Sequence, residues 1–237
     1  MNIVLFQPDE VARALPHDDR RAMHVLQVLR RKIGDTFDAG IVDGPRGKAM
    51  VTAITPETLS LSFNWSSEPT PPEPIALIVG LPRPQTARNI LREAAALGVA
   101  ALHFVTTDKG DPNYASSSLW QTEEHRRHLI AGAEQAFCTR LPLLTFGRDL
   151  ASVVSAAPRT TRIALDNYEA SGPFSQIPTM EPQVTVAIGS ERGWSNAERE
   201  CLREEGFVLA HLGTRVLRTE TACIVAIALT KARLGLI

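Results

Sequence analysis

Two polar segments near the end of the chain hold the residue types that could bind a ligand and act on it. The first is Gly189–Ser195 (GSERGWS), where two glycines bracket a glutamate and an arginine. Because glycine has no Cβ, a ligand can come close to the backbone there. Ser195 with Glu198 fits a capping box, which predicts that a helix begins at this point. The simpler alternative is a loop-to-helix junction whose glycines only form the turn.

The second segment is Leu212–Ala222 (LGTRVLRTETA), which is rich in polar groups and is followed at once by an apolar run. This order places the polar groups at the start of a buried helix. A purely structural role would need only Thr219 or Thr221 as the N-cap, with Glu220 in the first turn. That role accounts for the threonines but not for the glycine and the two arginines beside them.

The elements that position these segments alternate between strand and helix. Continuous apolar runs, typical of buried parallel strands, begin at Ile75, Ala101, Arg162, Val184 and Phe207. Helix-like segments also occur, at Thr86–Leu97, Thr122–Phe137, Asp149–Ala156, Asn196–Glu205 and Glu220–Leu234. This alternation predicts an α/β domain with a mostly parallel sheet. Such sheets bind ligands beyond the carboxyl ends of their strands, which is where both polar segments lie.

A proline-rich segment divides the chain. Ser66–Pro74 (SSEPTPPEP) cannot continue a helix or a central strand, so we expect a linker there. Before it, one helical stretch at about Asp18–Arg30 interrupts four short apolar stretches, at Asn2–Phe6, Thr36–Val42, Ala49–Ile54 and Leu59–Phe63. This pattern predicts a small, strand-rich, barrel-like domain over residues 1–68 and the α/β domain over residues 75–237.

The composition fits a soluble globular protein. The 237 residues are 44% hydrophobic and 22% charged. No apolar run approaches the roughly 20 residues of a membrane span, and the N-terminus lacks the basic start of a secretory signal. Cys138, Cys201 and Cys223 are far apart and odd in number, so neither a disulfide framework nor a zinc site is predicted. We therefore expect a cytoplasmic protein that uses no metal and no membrane.

Several enzyme classes lack their motifs in this chain. There is no G-x-G-x-x-G after the first strand of the α/β domain, no P-loop, no H-E-x-x-H and no G-x-S-x-G. The formal net charge of −1 is unusual for a nucleic-acid binder, because phosphate contacts need Lys and Arg. Arginines do cluster, at Arg30–Lys32, Arg83–Arg92 and Arg215–Arg218. Each cluster could equally be solvated surface, so composition alone is only compatible with RNA binding.

Taken together, the two polar segments resemble a known family. AIGSERGWSNAE followed by LGTRVLRTETA is similar to the paired C-terminal signature of the SPOUT methyltransferases that modify N3 of a uridine in bacterial 16S ribosomal RNA. Other similarities extend over the whole chain, at His24–Arg30 with Gly34-Asp35, at Glu93–Val99, and at Glu134-Gln135 with Arg140–Pro142. The LGTRVLRTETA segment is the most specific of these matches.

The resemblance implies a fold, an activity and partners. The fold would be α+β overall, with an N-terminal PUA-like β-barrel and a C-terminal SPOUT α/β domain tied in a deep trefoil knot, a topology that periodicity alone would not suggest. The activity would be methyl transfer from S-adenosylmethionine to N3 of a uridine in 16S ribosomal RNA, with the small ribosomal subunit as partner. A homodimer through the C-terminal domain is also implied, and the apolar Ile224–Ile237 is consistent with a helix buried against a partner.

The implied reaction suggests roles for particular residues. Because N3 of uridine carries a proton, either Glu191 or Glu220 accepts that proton, or Arg218 or Arg140 instead stabilises negative charge on the uracil oxygens; the sequence leaves both alternatives open. The cofactor would be held largely through backbone groups, with Leu212 and Leu217 against the adenine. The expected cofactor-binding residues are Leu165, Ile188, Gly189, Glu191, Gly193, Leu212, Gly213, Val216, Leu217 and Thr219. The expected RNA-binding residues are His24, Arg30, Arg31 and Arg83.

The chain departs from the family at the cofactor loop. Where the family usually has Gly-Pro-Glu-Gly-Gly, this chain has Ser190, which removes a fixed φ, and Arg192, which adds charge and bulk. These changes leave open another SPOUT reaction, such as ribose 2′-O methylation of transfer RNA. They also leave open a non-catalytic RNA-binding or ribosome-assembly factor, if the Arg192 side chain fills the pocket.

Overall fold

The structure is a computed structural model that describes residues 2–177 and 181–237. The chain forms two compact units, the first made of Met1–Pro71 with Ile130–Leu141 and the second of Pro72–Leu129 with Pro142–Ile237. Residues 130–141, which the sequence placed with the second domain, pack in the first unit. Separate domains over residues 1–68 and 75–237 stay a prediction.

The first unit is built on a five-stranded sheet. Its strands β1 to β5 are Val4–Phe6, Leu15–Pro16, Thr36–Ile41, Arg46–Ile54 and Thr58–Ser67. Their order in space is β1-β3-β4-β5-β2, with β1 parallel to β3 and the other pairs antiparallel. All four predicted apolar stretches form strands, which confirms that this part of the chain is rich in strands.

Side-chain alternation explains why this sheet forms. In β4, Ala49 and Val51 are buried whereas Met50 and Thr52 are exposed, which is the two-residue period of a sheet with one buried face. The buried side chains pack with those of the other strands, among them Phe37 of β3, into one hydrophobic core. Burial of this apolar face drives the strands together.

The predicted helical stretch of the first unit is split. Helix α1 is Arg20–Met23, and a π-helical turn follows at His24–Val28. The Asp19 side chain accepts a hydrogen bond from a backbone N–H in the first turn of α1 and so caps the start of this helix. Beyond the π-helical turn, Arg30 has a φ of 54°, which lies in the left-handed region and cannot continue a right-handed helix.

A buried glutamate joins the last part of the first unit to strand β1. The Leu5 N–H donates to Glu134 Oε1 at 3.2 Å, and the Arg20 guanidinium donates to Glu134 Oε2 at 3.1 Å. The N–H groups of Asn2 and Ile3 donate to the Glu134 carbonyl oxygen. Burial raises the pKa of the Glu134 carboxyl above its ordinary value of 4.5, although Arg20 and the Leu5 hydrogen bond act in the opposite direction.

Because the pKa of Glu134 is raised, the free energy of unfolding should depend on pH in a direction that can be stated. Above pH 4.5 the folded protein retains a proton that the unfolded chain releases, so we expect the stabilisation that this group contributes to decrease as the pH rises. Urea unfolding of the wild type and of Glu134→Gln from pH 4.5 to neutrality measures this. The difference in unfolding free energy, wild type minus variant, should fall with pH. A difference for Glu134→Gln that stays flat or rises with pH would contradict the assignment.

The second unit contains a seven-stranded sheet in which every pair is parallel. Its strands β6 to β12 are Glu73–Gly80, Val99–Thr106, Leu143–Asp149, Thr161–Leu165, Gly172–Pro173, Val184–Ile188 and Val208–His211. Their order is β10-β12-β9-β11-β6-β7-β8. Helices α2 to α7 are Pro84–Ala96, Ser118–Gln121, Glu124–Gln135, Leu150–Ala156, Asn196–Glu204 and Thr219–Arg233. The five predicted strands and five predicted helices are all present, and the predicted α/β class is confirmed.

Burial explains which strands the sequence revealed. All five residues of β11 are buried, and this strand lies between β9 and β6 in the middle of the sheet. A central strand of this kind is a continuous apolar run and is easily recognised. The edge strand β8, in contrast, is mostly exposed, and it was not predicted. The two-residue β10 at the other edge was also missed.

The proline-rich linker is shorter than predicted. Strand β5 continues through Ser67, which pairs with Arg46, and β6 already begins at Glu73, which pairs with Val99. The PUA-like barrel and the trefoil knot stay predictions of the family resemblance. Within the described residues, no helix has the length and apolarity to cross a membrane, and no cluster of three or more His, Cys, Asp or Glu could hold a metal ion.

Candidate active site

A cavity lies at the carboxyl ends of the central strands of the second unit. Strands β12, β9, β11 and β6 are parallel neighbours in the sheet, so the segments that follow them meet at the carboxyl ends of these strands. The cavity has a volume of about 380 Å³. Residues from four segments line it, within Arg83–Thr86, Leu165–Tyr168, Ile188–Gly193 and Leu212–Ala222.

The first polar segment forms a tight turn that needs two glycines. Gly193 has a φ of 65°, and its N–H donates to the Ser190 carbonyl at 2.8 Å. A Cβ on Gly189 would lie 2.9 Å from Gly193 Cα, closer than real side chains approach backbone. The two ends of the turn can therefore meet only because the first residue has no side chain.

The residues after the turn hold it in place. The Trp194 ring is buried, and its Nε1 donates to the Leu165 carbonyl at 3.0 Å. The Ser195 hydroxyl accepts a hydrogen bond from the Glu198 N–H, and the Glu198 carboxylate accepts one from the Ser195 N–H. The predicted capping box is thus confirmed at the start of α6. Glu198 also accepts from the Asp108 N–H at 2.8 Å, which ties the turn to the segment after β7.

Strand β6 approaches the same turn closely. A Cβ on Gly80 would lie 2.5 Å from the Ser190 nitrogen and 3.1 Å from the Gly189 carbonyl carbon. Ser190 itself is buried, and its hydroxyl has no hydrogen-bond partner among the described residues. The serine that stands where the family has proline therefore places an unused polar group in the cavity wall.

Substitution of Gly80 tests how tightly this wall is packed. We expect Gly80→Ala to lower the free energy of unfolding by about 1–3 kcal/mol, because the added methyl must displace the Ser190 backbone. Binding of S-adenosylmethionine, measured by titration calorimetry, should weaken in parallel. Gly172→Ala is the matched control, because a Cβ there meets no atom within 4 Å. Equal stability and equal cofactor affinity for both variants would show that the Ser190 backbone moves aside at no cost and that the cavity wall is not tightly packed there.

The second polar segment leads into α7, and most of the side chains that precede the helix are exposed to solvent. Val216 lines the cavity and yet is 80% exposed. The N-cap of α7 is Arg218, whose extended backbone starts the helix without a side-chain capping bond. Thr219 is already the first residue of the helix, so the purely structural alternative, in which Thr219 or Thr221 is the N-cap, does not hold.

A third segment, which the sequence did not reveal as part of the site, follows β9. Asp166 is buried and accepts a hydrogen bond from Arg199 Nε of α6 at 2.8 Å. Its other carboxylate oxygen accepts from the N–H groups of Tyr168 and Glu169, at 2.8 Å and 2.6 Å. This ion pair fixes the backbone after β9 against α6. The signal that could have found it is the polar Asp166-Asn167 directly after a buried strand run.

The rim of the cavity is locally cationic although the whole chain is not. Arg192, Arg215 and Arg218 are exposed and line the cavity, and none of them forms an ion pair with any described residue. Of the three lining carboxylates, only Asp166 is neutralised by an ion pair, with Arg199; Glu191 accepts only a backbone N–H, from Arg83 at 2.9 Å, and Glu220 is the third. The free charges at the mouth are therefore mostly positive.

The structure places the predicted site residues in two groups. Nine of the ten predicted cofactor residues line the cavity, as do the candidate catalytic residues Arg218, Glu191 and Glu220 and the candidate RNA-binding residue Arg83; Gly213 does not. The remaining candidates belong to the first unit, and they are His24, Arg30, Arg31 and Arg140. The sequence missed Asp166, Asn167, Tyr168 and Thr86 as lining residues.

The dimensions and composition of the cavity suit a cofactor that contains a nucleoside. Pockets that bind such molecules have volumes of roughly 300–1,000 Å³ and apolar walls with a few polar groups. Here Leu165, Ile188, Leu212 and Leu217 supply apolar surface, and the glycine turn supplies backbone that a ligand can approach. Arg192 lines this space without filling it.

Comparisons with known proteins agree with the motifs. The model of the RNA methyltransferase domain family matches residues 69–231. A relative from Treponema pallidum, ribosomal RNA small subunit methyltransferase E, is 34% identical over 98% of this chain and 91% of its own length.

Solved structures share the fold over nearly the whole chain. A probable rRNA-methyltransferase from Porphyromonas gingivalis superposes with a TM-score of 0.81 at 21% identity, covering 98% of this chain and 99% of its own. A ribosomal RNA small subunit methyltransferase E from Neisseria gonorrhoeae, bound to S-adenosyl methionine, has a TM-score of 0.76 at 21% identity, covering 98% and 97%. On the matches in sequence, this chain belongs to the ribosomal RNA small subunit methyltransferase E family of RNA methyltransferases, as its two C-terminal motifs predicted.

Proposed function

We propose that this protein transfers a methyl group from S-adenosylmethionine to N3 of a uridine in the 16S RNA of the small ribosomal subunit. The observation that carries the proposal is that both family motifs line one cavity. This cavity lies at the carboxyl ends of the parallel strands, where α/β proteins bind ligands. Relatives named as ribosomal RNA small subunit methyltransferases support the substrate. The close similarity of LGTRVLRTETA to the family signature supports N3 of uridine as the acceptor.

The cavity residues define how the cofactor would be held. The Gly189–Gly193 turn lines the cavity and would offer its backbone groups to the cofactor, and the buried Ser190 hydroxyl has no hydrogen-bond partner among the described residues. Leu212 and Leu217 would cover the adenine. When bound, S-adenosylmethionine supplies a methyl group already activated on a sulfonium, so the protein needs chiefly to align donor and acceptor.

Two residues are our candidates for the chemistry at the acceptor. Uridine N3 carries a proton at neutral pH, so a base must remove it or the resulting anion must be stabilised. Glu191 already accepts the Arg83 N–H, whereas Glu220 lines the cavity without a hydrogen bond to any described residue. We therefore favour Glu220 as the proton acceptor. Arg218 lines the cavity and forms no ion pair with any described residue, and it is our candidate for stabilising negative charge on the uracil oxygens.

Cationic residues at the rim suit RNA better than the cofactor. S-adenosylmethionine carries a sulfonium, so a positive rim gives it no net attraction, whereas RNA phosphates are bound chiefly by Lys and Arg. Arg192 and Arg215 are exposed and form no ion pair with any described residue, so they are our candidates for such contacts at the rim. In the first unit, His24, Arg30 and Arg31 remain our candidates for contacts that position the RNA.

Identification of the methylated nucleoside tests the proposal directly. Small ribosomal subunits, free 16S RNA and transfer RNA, each lacking the modification, would be incubated with the protein and S-adenosylmethionine, then digested to nucleosides for mass analysis. We expect 3-methyluridine from the ribosomal substrates and no product from transfer RNA. A 2′-O-methylated nucleoside would overturn the assignment of N3.

Cofactor titration separates an enzyme from a binding protein. We expect one site per chain with micromolar affinity for S-adenosylmethionine. If neither S-adenosylmethionine nor S-adenosylhomocysteine binds, the protein is a non-catalytic RNA-binding factor and Ser190 and Arg192 have closed the site.

We also propose a homodimer formed through the second unit. Helix α7 keeps apolar side chains only half-buried at Ile224, Val225 and Leu229, and Leu236 and Ile237 beyond it are exposed. These groups would be covered by a second copy of the chain. Light scattering of the purified protein measures the mass and would show a monomer if the proposal is wrong.

A further inference from the structure

Tyr168 is the feature of the cavity that the proposed reaction has not yet used. It lines the cavity, yet its side chain is 79% exposed, which is unusual for a large aromatic residue. Isolated exposed apolar residues are common and need no explanation. What distinguishes Tyr168 is that the protein holds its backbone firmly in place.

The segment that carries Tyr168 is fixed from two sides. The Tyr168 N–H donates to Asp166 Oδ1 at 2.8 Å, and Asp166 is itself held by the buried Arg199. The Arg199 guanidinium also lies 5.5 Å from the centre of the Tyr168 ring, within the range of a cation–π contact. The backbone of Tyr168 is therefore held by hydrogen bonding, and its ring contacts Arg199 although most of its surface is open to solvent.

The surroundings of the ring match an unpaired nucleotide. Val216, another exposed apolar side chain, stands on the Leu212–Ala222 segment of the same cavity. Arg192, Arg215 and Arg218 add free positive charge around the mouth. A fixed aromatic face with cations beside it is the combination by which proteins bind single-stranded RNA, because bases stack on the ring while arginines bind phosphates.

We propose that Tyr168 is a stacking platform for the uracil that accepts the methyl group. This inference rests on the proposed function, and it makes Tyr168 a residue that positions the base at the cavity mouth. Stacking uses the face of the ring and not its hydroxyl, so phenylalanine should serve as well as tyrosine. It also predicts that loss of the ring weakens RNA binding and leaves cofactor binding intact.

The test compares Tyr168→Ala with Tyr168→Phe. The readouts are Kd for single-stranded oligouridine by fluorescence anisotropy, kcat and KM for methylation of small subunits, and Kd for S-adenosylmethionine. Tyr168→Ala should raise Kd for oligouridine and lower kcat/KM about 10- to 100-fold. Tyr168→Phe should stay within about threefold of the wild type on both. The control Leu143→Ala removes a side chain that is 63% exposed on the edge strand β8, and it should change neither.

Each other outcome identifies a different error. If Tyr168→Ala matches the wild type in oligouridine binding and in kcat/KM, the ring is not a platform. Equal losses for both variants would assign the role to the hydroxyl and overturn stacking. A change of Tyr168→Ala from dimer to monomer in light scattering would show that the ring is covered by a second chain instead. If the wild type yields no methylated nucleoside, the proposed function fails, and the oligouridine Kd still decides whether the ring binds bases.

Discussion

Replacing Arg218 with alanine is expected to lower kcat for RNA methylation about 100- to 1,000-fold, the usual cost of removing a group that stabilises charge in the transition state. The cofactor affinity should change by no more than a few-fold. The reason is that negative charge develops on the uracil oxygens only as the N3 proton leaves. A guanidinium that meets this charge contributes little before the reaction begins.

The surroundings of Arg218 indicate that its substitution should change activity without changing stability. The Arg218 side chain is exposed, forms no ion pair with any described residue and makes no capping bond to α7. Its loss should therefore change the unfolding free energy by less than about 0.5 kcal/mol. A fall in activity can then be attributed to the reaction and not to the fold.

Two matched variants refine the interpretation. Arg218→Lys keeps the charge but not the planar fork, so we expect it to recover part of kcat. Arg215→Ala, which removes a neighbouring free arginine of the same segment, should raise KM for RNA with a small effect on kcat. Single-turnover kinetics and calorimetry with S-adenosylmethionine measure these values. Parallel loss of cofactor affinity in Arg218→Ala would show that Arg218 binds the cofactor instead.

Replacing Asp166 with asparagine is expected to lower the unfolding free energy by about 3–5 kcal/mol, the cost of leaving one member of a buried ion pair without its partner. The Asp166 and Arg199 side chains are 2% and 5% exposed, so water cannot compensate Arg199 for the lost charge. Because Asp166 also accepts the Tyr168 and Glu169 N–H groups, the segment after β9 should loosen too. Urea unfolding measures the first effect, and proteolysis within the segment measures the second.

A surface ion pair between the same two elements is the control. Glu169 lies in the segment after β9 and pairs with Arg203 of α6, and these side chains are 40% and 39% exposed. Arg203→Gln removes only exposed pairs, with Glu169 and Glu200, and leaves the contacts of Arg199 in place, so it should cost less than about 1 kcal/mol. Similar losses for Asp166→Asn and Arg203→Gln would mean that burial of the Asp166–Arg199 pair does not decide its contribution.

Local patterns in the sequence were sufficient for the central elements of the second unit. All five residues of strand β11 are buried and four of them are apolar, because the strand lies in the middle of the sheet, and such a run is visible without any knowledge of the fold. The capping box at Ser195 and Glu198 was also visible, because both partners lie within one helical turn. The edge strand β8 gave no such pattern, since most of its side chains are exposed and burial does not require them to be apolar.

For the candidate site, too, contiguous motifs were visible in the sequence, whereas contacts between distant segments were not. The motifs GSERG and LGTRVLRTETA identified by themselves the family and most of the residues that line the cavity. The sequence did not show that Glu191 is held by the Arg83 N–H, 108 positions away, nor that Gly80 must be glycine because the Ser190 backbone passes over it. These are contacts between segments distant in the chain, and no periodicity records them.

The sequence alone determined the class of fold, the central strands and the longer helices of the second unit, and the family to which the protein belongs. Each of these depends on apolar periodicity or on a contiguous motif. Only the tertiary structure decided that residues 130–141 pack with the first unit, through Glu134, and that Asp166 and Tyr168 belong to the cavity. The physical reason is that burial of a charge and exposure of an aromatic ring depend on which distant segments pack around them.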